Sequence, residues 1–238
     1  MTAYVHIGTP KTGTTSIQNF LHYNHDALAR QNYRYAQSIV AGNPNEDENQ
    51  HWYLVTLYQK IKPLYKNKEF NIVDFLKSYP KFNLLKQEVQ KYNNFKFIFS
   101  SEGISLSISK DMDALEIFNT IFSQLGFTKL IYICYIRNQA DMKVSWSSML
   151  IYCGYGGSIL KLLDKANNDS LKILNYQQVL SSFGNYKADL IVRLFDKNEF
   201  YQGDLLKDFA YSIGLQWDDR FVTPSKQNES LDLLGIEF

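Results

Sequence analysis

Cysteine is scarce in this chain, with Cys134 and Cys153 the two in 238 residues. Cys134 sits inside an apolar run and reads as a small buried hydrophobe, while Cys153 stands beside Gly154 as a candidate exposed thiol. The four histidines are scattered, so neither residue type offers a cluster with metal-ligand spacing. Net charge is also nearly absent: +1 overall leaves no broad basic field, which argues against a general nucleic-acid binder without excluding a local basic pocket. No apolar run approaches the ~18 residues that a membrane span needs. A leader peptide is not expected either, because a glycine-containing polar loop has begun by residue 8, and the default expectation is a cytoplasmic protein. Internal repeats and low-complexity tracts are missing too, so residues 1–238 read as one domain.

What remains is the composition of an ordinary soluble globular protein, 45% hydrophobic and 21% charged. Aromatics are abundant at 15%; the tyrosines read mostly as packed rings with the hydroxyl at the surface. Four apolar, β-branched and aromatic runs predict strands: Tyr4 to Ile7, Phe95 to Ser100, Leu130 to Ile136 and Leu190 to Phe195. They show little alternation, as expected of strands covered on both faces of a parallel sheet. Helical periodicity predicts helices over Ser16–Arg30, His51–Ile61, Lys81–Tyr92, Asp111–Leu125, Gln139–Ile151 and Asp204–Ile213, the last ending at Gly214. Strands alternating with helices specify an α/β fold of three layers, α/β/α, around a central, mainly parallel sheet. Ala41 to Gln50 is a polar, acidic surface loop, and glycine-rich Tyr152 to Ser158 is a flexible connection bordering a possible substrate site.

Chemistry concentrates in His6-Ile7-Gly8-Thr9-Pro10-Lys11-Thr12-Gly13-Thr14-Thr15-Ser16-Ile17-Gln18. Strand, compact loop and helix N-terminus gather backbone N–H groups around an anion. Glycines let the backbone approach, Lys11 adds charge, and Thr14, Thr15 and Ser16 add hydroxyl donors in the first helical turn. The order rules out a Walker A loop, in which the lysine follows the second glycine; here Lys11 precedes Gly13. The segment resembles instead the 5′-phosphosulfate loop of sulfotransferases that use 3′-phosphoadenosine-5′-phosphosulfate (PAPS), and within them it looks most like bacterial enzymes of surface polysaccharides. The plain alternative is a glycine turn ahead of a helix with a polar first turn.

Two further constellations fit that resemblance. The "LIYICYI" strand ends at Arg137, and Ser145 follows about two turns into the next helix. Guanidinium plus hydroxyl suits a phosphate monoester, and the spacing resembles the sulfotransferase 3′-phosphate motif. The alternative is an arginine at the sheet rim with a serine on an exposed helix face. Ser100-Ser101-Glu102 ends another strand at the same carboxyl edge. The family resemblance makes Glu102 the leading candidate for catalytic base; the alternative is a structural ion pair with Lys11 or Arg137. His51 is the other candidate base. Arg193 interrupts an apolar strand and needs a partner there, which makes it a candidate ligand contact, and Lys226 and Asn228 are candidates to close over a nucleotide.

The resemblance therefore implies a P-loop-like sulfotransferase fold that binds donor through Lys11, Thr12, Gly13, Thr14, Thr15, Ser16, Arg137, Ser145, Arg193 and Asn228, with Lys11, Glu102 and His51 as the candidate catalytic residues. It implies PAPS as donor, 3′-phosphoadenosine-5′-phosphate as product, no metal, and a carbohydrate acceptor that can be membrane-proximal. A nucleotide or metabolite kinase is the first rival reading, and it wants a Walker lysine and a magnesium-holding carboxylate after a buried strand. A nucleotide-binding module without catalysis is the second.

Overall fold

The computed structural model describes residues 1–40, 50–152, 169–186 and 188–224. Its centre is a five-stranded sheet in the order β2-β3-β1-β4-β5, built from Thr2–His6 (β1), Tyr33–Tyr35 (β2), Lys96–Ser100 (β3), Lys129–Ile136 (β4) and Asp189–Leu194 (β5). Every pairing is parallel, with Val5 opposite Phe99 on one side and Tyr132 on the other. The expected α/β class and parallel sheet are what the structure shows.

Two apolar layers sandwich that sheet. On one face Ile17, Phe20, Leu28 and Phe209 pack on Ile98, Ile133 and Tyr135. They come from helices α1 (Thr14–Tyr23), α2 (His25–Ala29) and α10 (Leu205–Ser212). The opposite face carries Val5, Phe97, Phe99, Tyr132 and Cys134 beneath the other helices of the described residues. Those are α3 (Trp52–Ile61), α4 (Ile72–Lys77), α5 (Pro80–Lys91), α6 (Glu102–Lys110), α7 (Ala114–Leu125), α8 (Gln139–Tyr152) and α9 (Tyr176–Asn185). Strands β1, β3 and most of β4 are covered on both sides and read as unbroken apolar runs; β5, at the sheet edge, departs from that expectation, with Val192 39% and Leu194 51% exposed. Burial pushes the Cys134 thiol up to about 12, in keeping with a packed hydrophobe.

The helix expected over Ser16–Arg30 is two helices. Asn24 breaks it: its side-chain amide donates to the Phe20 and Val222 carbonyls while its oxygen accepts from Val222 N–H, bonds that compete with the helical ladder. The strand order reverses at β1. The chain leaves β1 for the far edge at β2, returns through β3, then crosses over β1 to β4. The carboxyl end of β1, flanked by β3 and β4, is thus the topological switch point where open α/β sheets form their crevice. Most of the acidic loop, the glycine-rich stretch from Cys153 onward, Lys226 and Asn228 lie outside the described residues. Among the described residues no helix is long and apolar enough to cross a membrane.

Candidate functional site

The loop from Ile7 to Gly13 leaves β1 at this switch point and is fixed by its neighbours. Ile7 N–H donates to the Ile133 carbonyl at 2.9 Å, the Thr9 hydroxyl donates to the Tyr135 carbonyl at 2.8 Å, and the Ser105 hydroxyl donates to the Gly8 carbonyl at 2.6 Å. Thr12, expected to meet ligand, turns its buried hydroxyl inward to donate to the Thr9 carbonyl at 2.6 Å. Gly13 has φ +72°, a left-handed position before α1, and a Cβ there would stand 2.4 Å from a Leu205 methyl. Lys11 itself is left-handed at φ 66°, a conformation that costs a residue with a Cβ on the order of 1–2 kcal/mol.

Helix α1 starts without a side-chain cap, so its first-turn amides are open to an acceptor. Thr14 is 4% exposed, and its hydroxyl has no partner. Thr15 and Ser16 are half-buried in the same turn. A Cβ on Gly8 would lie 2.6 Å from the Thr14 hydroxyl oxygen, so only glycine leaves that hydroxyl clear of the loop backbone. Chemically this is a small, donor-rich cradle at a helix N-terminus, suited to an anion.

At the end of β4, Arg137 reaches back to the cradle: its Nη1 donates to the Lys11 carbonyl at 3.2 Å. The guanidinium lies 5.5 Å from the centre of the Phe195 ring, and the Arg137 carbonyl accepts from Tyr176 at 2.8 Å. Ser145 is buried on α8. At the end of β3, Ser101 N–H donates to the His6 carbonyl at 3.0 Å. Glu102, half-buried, opens α6 beside it. The ends of β3, β1 and β4 thereby place Glu102, Lys11 and Arg137 along one edge.

Two further candidates are placed differently from the expectation. His51 is fully buried, and both ring nitrogens are engaged: Nδ1 accepts from Ser100 N–H at 2.9 Å and Nε2 pairs with the Ala36 carbonyl at 2.7 Å. Burial pulls its pKa down to about 4. A neutral ring with no lone pair left is a brace for β3, not a base. Arg193 finds its partner in the protein, a bidentate pair with buried Asp208. Burial raises the Asp208 carboxyl, but hydrogen bonds from Arg193, Tyr201 N–H and Tyr135 outweigh it and hold the group ionised.

Sequence reading gave no role to His6, Gln18 or Ser100, which form a buried polar cluster under the cradle. His6 Nδ1 is 2.8 Å from the Ser100 hydroxyl, which accepts from the Gln18 amide at 3.2 Å. A usable signal was present, because Gln18 falls one turn after Thr14 on the same helix face. Among the described residues no group of three or more His, Cys, Asp and Glu is arranged to hold a metal.

Fold and loop together define a class: a parallel α/β protein whose β1 loop opens a donor-rich cradle onto the switch point. No protein-family model matches the chain, and no curated protein matches it. Among solved structures it is similar to the sulfotransferase domain from the Synechococcus PCC 7002 olefin synthase. That similarity is 12% in sequence identity, covers 95% of this chain and 78% of the other, and has a TM-score of 0.46.

Proposed function

We propose that this protein is a sulfotransferase moving the sulfuryl group of PAPS to a carbohydrate hydroxyl. The observation that carries the reading is the Arg137 bond to the Lys11 carbonyl, which joins a 5′-anion cradle to a second anion-binding side chain at a neighbouring strand end. That pairing suits a nucleotide with phosphates at both the 3′ and 5′ positions. The α1 amides and the Thr14, Thr15 and Ser16 hydroxyls hold the 5′ group, while Arg137 and Ser145 take the 3′ phosphate.

Transfer of this type asks for positioning and charge stabilisation. The acceptor oxygen bonds to sulfur as the bond from sulfur to the bridging phosphate oxygen breaks. Lys11 neutralises the charge gathering on that bridging oxygen, and Glu102 takes the acceptor proton. A sugar acceptor is supported by Trp52, which is 39% exposed and whose ring edge abuts Gly103, next to Glu102. An indole face beside the base is a platform for the apolar face of a sugar ring.

Thermal unfolding with 3′-phosphoadenosine-5′-phosphate, 5′-AMP and Mg·ATP tests the donor assignment. A ligand with Kd near ~1 µM at 100-fold excess stabilises the fold by roughly 2.7 kcal/mol. The bisphosphate is expected to exceed the other two, and Arg137→Ala to erase its advantage over 5′-AMP. Equal shifts in the parent would sink the donor assignment, and a preference for Mg·ATP would favour a kinase. Glu102→Gln should lower transfer from labelled PAPS to glycans by ~10²-fold or more with donor affinity unchanged. Full binding with no transfer to any acceptor by the parent would instead indicate a binding module.

A further inference from the structure

Three buried polar atoms at the exits of β1 and β3 lack partners: His6 Nε2, Thr14 Oγ1 and Ser101 Oγ. Two of them face the same space. A Cβ built on Gly8 would stand 2.6 Å from Thr14 Oγ1 and 3.2 Å from His6 Nε2, so the absent Gly8 side chain leaves open the gap between them. Burying an unsatisfied donor costs on the order of 1–3 kcal/mol, and a site that holds two of them side by side invites a reason.

Gln18 Nε2 donates to Ser100 Oγ, and Ser100 Oγ lies 2.8 Å from His6 Nδ1. When the Ser100 hydroxyl donates to Nδ1, the ring hydrogen lies on Nε2, the atom that shares the Gly8 gap with Thr14 Oγ1. Edge-on packing against Phe209 and Tyr135, at 5.5 and 6.0 Å between ring centres, fixes the imidazole in that orientation. Burial pulls the ring's pKa down to about 3, so it stays neutral.

We propose that His6 is a positioning residue for the cradle, the middle link of a buried donor relay from Gln18 through Ser100 and His6 to Thr14. An anion on the first-turn amides of α1 draws the Thr14 hydroxyl hydrogen outward. That frees a Thr14 lone pair to accept from His6 Nε2–H, and every donor in the chain then points toward the anion. Hydrogen bonds aligned in series strengthen one another, so the relay raises the donor strength of Thr14 without placing a charge under the loop. His6 acts only through Thr14. The inference rests on the cradle binding an anion, as in the proposed function.

The test uses protein labelled with 15N at histidine, titrated with 3′-phosphoadenosine-5′-phosphate and, separately, with inorganic sulfate. The expected result is a His6 Nε2–H proton that moves downfield and exchanges more slowly with water as either anion binds. Thr14→Val keeps the shape, removes the last link and is expected to abolish this response while weakening binding by about tenfold. His6→Gln should weaken binding by a similar factor, and the double variant should bind no worse than either single one. An unchanged His6 signal in an anion-bound parent, or losses that simply add, would overturn the relay; the parent signal decides even if His6→Gln fails to fold. Sulfate binding with the relay response but no bisphosphate binding would leave the relay standing and remove the PAPS reading. Binding of neither anion would remove both.

Discussion

Single side chains set the acid limit of this protein. His6 and His51 are both fully buried, with pKa values pulled by burial to about 3 and about 4 from an unfolded value of 6.5. Because the folded values are depressed, their stabilisation is complete above pH 6.5 and is lost as pH falls, when the unfolded chain takes up protons that the folded chain refuses. By pH 5 the loss is about 2 kcal/mol for each ring. The buried carboxylates, Glu88 and Asp208, have lowered values and titrate below this window. Urea unfolding at pH 7.5 and pH 5 should show the difference, and a flat profile would mean that the rings are not held neutral. The histidine pair also marks what residue type alone conveys. His51 has the right chemistry for a base, and its place beside a polar loop is visible in the sequence, but whether its lone pairs are already spent depends on Ala36 and Ser100, distant in the chain. His6 is the converse, a residue inside a recognisable motif whose partners come from β3 and α1.

At the scale of elements, the apolar packing of α10 on the sheet is joined by a charged tie through one carboxylate. Asp208 receives Arg193 from β5, Tyr135 from β4 and the Tyr201 backbone at once. Asp208→Ala leaves the arginine beside an apolar layer and should cost roughly 3–5 kcal/mol in chemical denaturation. A loss under about 1 kcal/mol, the range of exposed pairs, would show that water replaces the tie. The strands at the site were legible because long apolar runs signal burial on both faces, and α7 because Leu115, Phe118 and Phe122 recur at helical spacing. Shorter signals failed. Strand β2 is three residues, Tyr33–Tyr35, too brief for a period. Helix α6 carries "ISLSIS", which alternates like a strand; it is helical because Ile104 and Ile108 are buried one turn apart. Its serines donate to carbonyls of the preceding turn, Ser107 to Gly103 and Ser109 to Leu106. The α1–α2 break at Asn24 needed Val222, which no local pattern supplies.

For the whole molecule, sequence order placed Lys11, Glu102 and Arg137 after strand ends, but not that their strands are immediate neighbours; strand order is a long-range property that alternation leaves open. The middle place of β1 has a consequence for how the chain comes off the ribosome. Both partners of β1 lie far downstream, β3 at Lys96–Ser100 and β4 at Lys129–Ile136. At ~5–20 residues per second, roughly 5–20 s of synthesis separate β1 from its first neighbour. During that interval an apolar strand, with the loop behind it, has no sheet to join. Nascent chains halted before β3 should therefore be cleaved readily within residues 1–40 by a dilute protease, whereas the released full chain resists there. Equal resistance in both would mean that the amino-terminal segment finds shelter without its sheet. Refolding from denaturant should likewise be slow, on the ms–s scale of non-local topologies. Occupancy of the cradle should appear only in the last phase, because the cradle is anchored on β4 through contacts such as Thr9 to Tyr135, 126 residues apart in the chain.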